Sequence, residues 1–209
     1  MIVSKTTPFA TITVTVCVSA LFTVGCFSRT QVPEHRTGTS APREAPKEVF
    51  DEASGTTLII VRRPIVLARS RTDVAANVRD YITLVTVRED QSGKHATWLV
   101  AYRWSTLDAR FDTARDVHSG RLLLLADGRS LALTPSERAP SFLQHGSRPF
   151  APHFALDAWA YPMDLPTLRY LATARELSAR LQDDALPLAY TMWEDGRAQL
   201  LGLLESFTP

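Results

Sequence analysis

Residues 80–104 read DYITLVTVREDQSGKHATWLVAYRW. Two runs rich in β-branched and aromatic residues, 80–87 and 97–104, flank a polar stretch at 89–94 that contains Ser92 and Gly93. Such runs favour a pleated backbone, and a short Gly-containing link between them favours an antiparallel hairpin. Alternation along the second run puts Trp98, Val100, Tyr102 and Trp104 on one face and Arg103 on the other. That face is either the buried side of the hairpin or an aromatic contact surface. Trp98, Tyr102 and Trp104 are the candidate ligand-contact residues.

The chain on both sides has the same β character. Upstream, 56–61 and 65–68 are apolar and β-branched, with Pro64 between them. Pro suits a strand start or an edge, because it has no amide to donate to a ladder. Downstream, 121–126 and 130–133 flank Asp127-Gly128, and Asp-Gly between apolar runs predicts a tight hairpin with positive φ at both turn positions. Residues 154–161 alternate as a further strand, and 177–181 with 187–192 predict a strand pair. Two helices are expected in the C-terminal half. One covers 165–174, capped by Asp164, with Leu165, Leu168, Leu171 and Ala172 on one face. The other covers 194–207, with a stripe of Leu200, Leu203, Leu204 and Phe207. There is no βαβ rhythm. The expected fold is α+β: a mainly antiparallel sheet of about eight strands, as a sandwich or curled sheet, with two helices.

Two stretches, 105–120 and 135–152, are irregular and polar or Pro-rich, and they are the expected contact loops. A small exported hydrolase would need Asp116 and His118 to meet His153. A carrier of a hydrophobic ligand would need an apolar cavity lined by Trp98 and Trp104. The five histidines, His35, His95, His118, His145 and His153, have no metal-ligand spacing. Ser119 beside His118 is a dyad by proximity only. No GxSxG elbow, phosphate-binding loop or dinucleotide glycine pattern is present. No catalytic residue, metal or cofactor is expected.

The N-terminus has a different character. Lys5 precedes residues 9–24, which carry no charge, and the run ends in Gly25-Cys26. A basic start, an apolar middle and a small residue before the cut form a secretory signal. The same segment also fits an uncleaved membrane anchor or an ordinary signal cut near Ala20 or Gly25. Thr23-Val24-Gly25-Cys26 resembles the lipobox of bacterial lipoproteins, although Thr23 stands where that pattern favours Leu, Val or Ile. The resemblance implies cleavage before Cys26, a diacylglycerol thioether on that cysteine and an N-terminal acyl chain. More than one lipid chain is physically reasonable, since a single one holds a protein only marginally. Phe27, rather than the Asp of that family's inner-membrane retention signal, follows the cysteine, and in a Gram-negative source the resemblance then implies the outer membrane, facing the periplasm.

Residues 26–48 are expected to be a lipid-anchored, disordered tether rich in Pro, Ser, Thr and charge. Residues 49–209 are expected to form one β-rich domain. Removing residues 1–25 removes Cys17, which leaves Cys26 as the one cysteine and excludes an internal disulfide. It also removes Lys5 and leaves 22 basic and 22 acidic residues, without the basic excess of a nucleic-acid binder. Only Lys5, Lys47 and Lys94 of the 23 basic residues are lysine, which reads as genome composition before chemistry. The expected partners are the membrane, through lipidated Cys26, and an envelope protein.

Overall fold

The computed structural model describes residues 44–107, 119–153, 155–182 and 189–207. Cys26, the signal and most of the expected tether lie outside the described residues, as do Asp116 and His118.

The hairpin is the spine of the fold, and it is longer than the apolar runs alone suggest. Strand β4 (Arg79–Gln91) pairs with β5 (Lys94–Ser105) along its whole length, from Asp80 opposite Ser105 to Gln91 opposite Lys94. The expected six-residue turn shrinks to Ser92-Gly93, at φ of 49° and 79°. Two consecutive left-handed residues match the twist of the flanking strands, so the ladder continues into the polar residues.

One edge of β4 lies against β5, and the other edge is shared. Its first half pairs with β3 (Ile65–Ser70) and its second half with β2 (Thr56–Ile60). β2 also pairs with β1 (Lys47–Asp51). Beyond β3 the sheet continues through β10 (Tyr190–Glu194), β9 (Leu177–Leu181), β6 (Leu122–Ala126) and β7 (Arg129–Leu133). On the far side of β5 lies β8 (Asp157–Pro162). Among the described residues ten strands form one antiparallel sheet, which is not closed. The expected number was about eight. The strand missed in the sequence is β1, whose KEVFD has little apolar character because it is an edge: Lys47 and Glu48 are exposed and belong to the sheet rather than to the tether.

The sheet curls around a core. Tyr161 of β8 and Leu133 of β7, from opposite ends of the strand path, join one apolar cluster with Leu67, Leu84, Leu99 and Leu124. Helix α2 (Leu165–Thr173) fills this cluster with Leu168 and Leu171. Leu165, expected on the same face, is 41% exposed. Helix α3 (Arg197–Glu205) contributes Leu200 and Leu204 to this core and Leu203 to a second one. The second core covers the other face of the hairpin, where Leu58, Val85, Val100 and Tyr102 pack on Phe142. Phe142 belongs to a one-turn helix, α1 (Ser141–Gln144), within the stretch expected to be irregular. Among the described residues no helix is long and apolar enough to cross a membrane.

Asp164 caps α2 as expected: its carboxylate accepts the Thr167 amide at 2.6 Å. Hydrogen bonding from Thr167 holds this carboxyl below the usual range. A lowered folded pKa gives stability that is fully present above the ordinary carboxyl range near 4 and is lost as pH falls through the folded value. Asp164→Ala is expected to cost about 1 kcal/mol. Asp164→Asn should keep the cap and flatten the acid limb of the stability curve. Melting temperatures from pH 7 to 3 test both.

Candidate functional site

The aromatic face of β5 is divided in the fold. Val100 and Tyr102 in its middle are fully buried in the second core. Burial pushes the Tyr102 phenol up, and its hydroxyl has no hydrogen-bond partner among the described residues. Tyr102 is therefore packing, not contact surface. Trp98 and Trp104 lie on either side of it and belong to two separate surfaces.

Around Trp104 the sheet builds an aromatic cluster. The Trp104 ring stacks on Tyr81 at 3.9 Å and 8°, and its indole N–H donates to Thr83 Oγ1 at 2.9 Å. Tyr81 meets Trp193 edge-on at 6.0 Å, and the Arg79 guanidinium lies 4.8 Å over the Trp193 ring. Trp193 is 44% exposed. It sits where the β10–β3 register shifts between Met192 and Glu194. A bulge re-aims the side chain it carries. The sequence offers a weak sign of this, a tryptophan just past the expected strand end at 192.

Around Trp98 the second strand of the hairpin meets the segment that carries α1. The Trp98 indole N–H donates to Glu89 Oε2 at 3.0 Å, and the Ser141 hydroxyl donates to Glu89 Oε1. Asp90 Oδ1 holds Arg88 at 2.9 Å and the His95 ring at 2.5 Å. Burial raises the Asp90 carboxyl, but the hydrogen bonds from His95 and Arg88 outweigh it and hold the group below its ordinary value. Trp98, Glu89, Ser141 and His95 wall an open groove of about 400 Å³, with Lys94, Arg138 and Gln144 at its rim. This volume falls in the range of small-ligand sites.

A second groove, also about 400 Å³, lies beside the Asp127-Gly128 turn. Its polar groups serve the fold. Asp127 Oδ1 accepts the amides of Arg175 and Glu176 at 2.8 and 2.9 Å and ties the β6–β7 hairpin to the segment before β9.

The described histidines, His95, His145 and His153, have different surroundings. His145 bonds its own helix at the Ser141 carbonyl, 2.8 Å away, and His153 is exposed in another part of the loop. Among the described residues no group of three or more His, Cys, Asp or Glu is arranged to hold a metal ion. No family model matches the chain. Neither a curated protein nor a solved structure matches it.

Proposed function

We propose that the protein is a bacterial envelope lipoprotein, anchored through Cys26, whose β-rich domain is a non-enzymatic interaction module. The observation that carries this reading is Thr23-Val24-Gly25-Cys26 at the end of a charge-free run, residues 9–24, behind Lys5. Phe27 after the cysteine favours the outer membrane, with the domain in the periplasm. The domain's accessible chemistry suits contact with a partner. An aromatic cluster ends in exposed Trp193, and a groove with a tryptophan wall lies on the other side of Tyr102.

Two alternatives make other demands of the fold. A hydrophobic-ligand carrier needs a cavity between Trp98 and Trp104, and Val100 and Tyr102 fill that space with packed side chains. A hydrolase needs Asp116 and His118 beside His153, and the first two lie outside the described residues.

Fractionation tests the anchor. The wild-type chain is expected to sediment with membranes and to leave them in detergent but not in high salt. Cys26→Ser is expected to lose this behaviour. A wild type released by salt, or a Cys26→Ser variant held as firmly as the wild type, contradicts the proposal.

A further inference from the structure

We infer that the Trp98 groove is a binding site for an acidic saccharide, a sugar ring that carries a carboxylate. This deepens the interaction-module reading by giving the module a ligand, and it does not depend on the lipid anchor.

Some of the groove's polar groups already have partners within the protein, and others do not. Glu89 and His95 are engaged within the protein: Glu89 accepts from the neutral donors Trp98 and Ser141, and the His95 ring bonds Asp90. The two rim cations are not. Lys94 and Arg138 are exposed, and their side chains have no hydrogen-bond or ion-pair partner among the described residues. Two cations against the one Glu89 carboxylate leave the lining with a net positive charge, and a carboxylate is a group that a guanidinium and an ammonium at one rim complement.

The wall supplies the second half of the recognition. Trp98 is half-buried, and its indole is fixed by the bond to Glu89, which Ser141 fixes in turn. A held indole face gives a flat apolar platform at low entropic cost, and the C–H face of a sugar ring matches it. The rim also carries two amides with acceptor capacity. Gln91 donates its Nε2 to the Ser54 carbonyl at 3.3 Å, and Gln144 donates its Nε2 to the Ala139 carbonyl. Each keeps its amide oxygen as an acceptor for a ligand hydroxyl. A platform, hydroxyl acceptors and unpaired cations in about 400 Å³ describe one or two sugar rings with an acid group.

The test uses matched pairs of probes on the full chain: glucuronic acid with glucose, galacturonic acid with galactose, and N-acetylmuramic acid with N-acetylglucosamine. Binding is read from the Trp98 indole N–H signal in a nitrogen–proton correlation spectrum during titration into the millimolar range. At least one acid is expected to shift this signal saturably, and its uncharged partner is expected to bind at least tenfold more weakly. Lys94→Glu with Arg138→Glu should lower affinity for the acid at least tenfold while leaving the rest of the spectrum in place, since both side chains are exposed. Trp98→Ala should abolish the shifts of the neighbouring Ala96 and Gln144 signals, with Trp98→Phe as the variant that keeps the packing. The inference is overturned if none of the three acids moves the Trp98 signal. It is equally overturned if acid and neutral sugars bind alike, or if the double variant binds the acid as well as the wild type does. Loss of sugar binding leaves membrane attachment through Cys26 untouched, so the two proposals fail separately.

Discussion

Asp80→Ala is expected to lower stability by about 3–5 kcal/mol, the range found when one partner of a buried ion pair is removed. Register places Asp80 directly opposite Arg69 on the neighbouring strand. The two side chains are 6% and 4% exposed, and they meet at 2.9 Å. Arg71 adds a second contact to the same oxygen at 3.2 Å. The variant keeps Arg69 in its buried place over the Tyr190 ring, 4.5 Å from its centroid, and deletes a carboxylate that pairs with it. For a domain of this size that loss corresponds to roughly 10 °C in melting temperature. Desolvation of the pair has a second consequence. Replacing both charges, Arg69→Met with Asp80→Leu, should be milder than Asp80→Ala alone, because no buried charge then remains in need of its partner. Thermal melts of the three proteins decide the matter. An Asp80→Ala variant that melts with the wild type shows that the pair does not hold the β3–β4 junction.

Gly120→Ala is expected to cost about 2–4 kcal/mol, from overpacking added to backbone strain. Gly120 has φ +76°, and a Cβ there would lie 2.3 Å from Trp159 Cδ1. The neighbours have little room to give way. Tyr161, fully buried in the main core, donates its hydroxyl to the Gly120 carbonyl at 2.5 Å and holds this backbone against β8. Gly128 separates the two contributions. Its φ is +79° with nothing within 4 Å of a built Cβ, so Gly128→Ala carries the strain without the clash. It should cost about 1 kcal/mol. Equal losses at the two glycines would contradict the packing argument.

The strands that carry β-branched and aromatic residues were legible in the sequence because their side chains are what a half-buried pleated surface selects. The Asp127-Gly128 turn was legible because few residue pairs accept two positive φ angles, and the structure has them at 46° and 79°. Edge elements were not. β1 is polar because one side of it faces no strand, and α1 is a single turn whose one buried residue, Phe142, makes no period. The burial of Tyr102 was an open alternative in the sequence, because period-two alternation selects a face without saying what covers it. Phe142 and Leu203, from distant parts of the chain, cover it. The groove had the same difficulty. Trp98 and Glu89 are close in sequence, but Arg138, Ser141 and Gln144 reach them only because the segment after β7 runs past β8, where the Ser136 amide donates to the Ala160 carbonyl at 2.8 Å. The Arg69–Asp80 pair left no local trace either, since its partners become neighbours only when β3 and β4 take their register.

The central claim is that the domain hangs from a lipid on Cys26, and the intact mass of the protein extracted from its native membrane tests it most directly. The expected result is a chain that starts at Cys26 and carries the added mass of diacylglycerol and an acyl group, with that mass absent from Cys26→Ser. A chain that retains Met1, or one cut elsewhere without lipid, would contradict it.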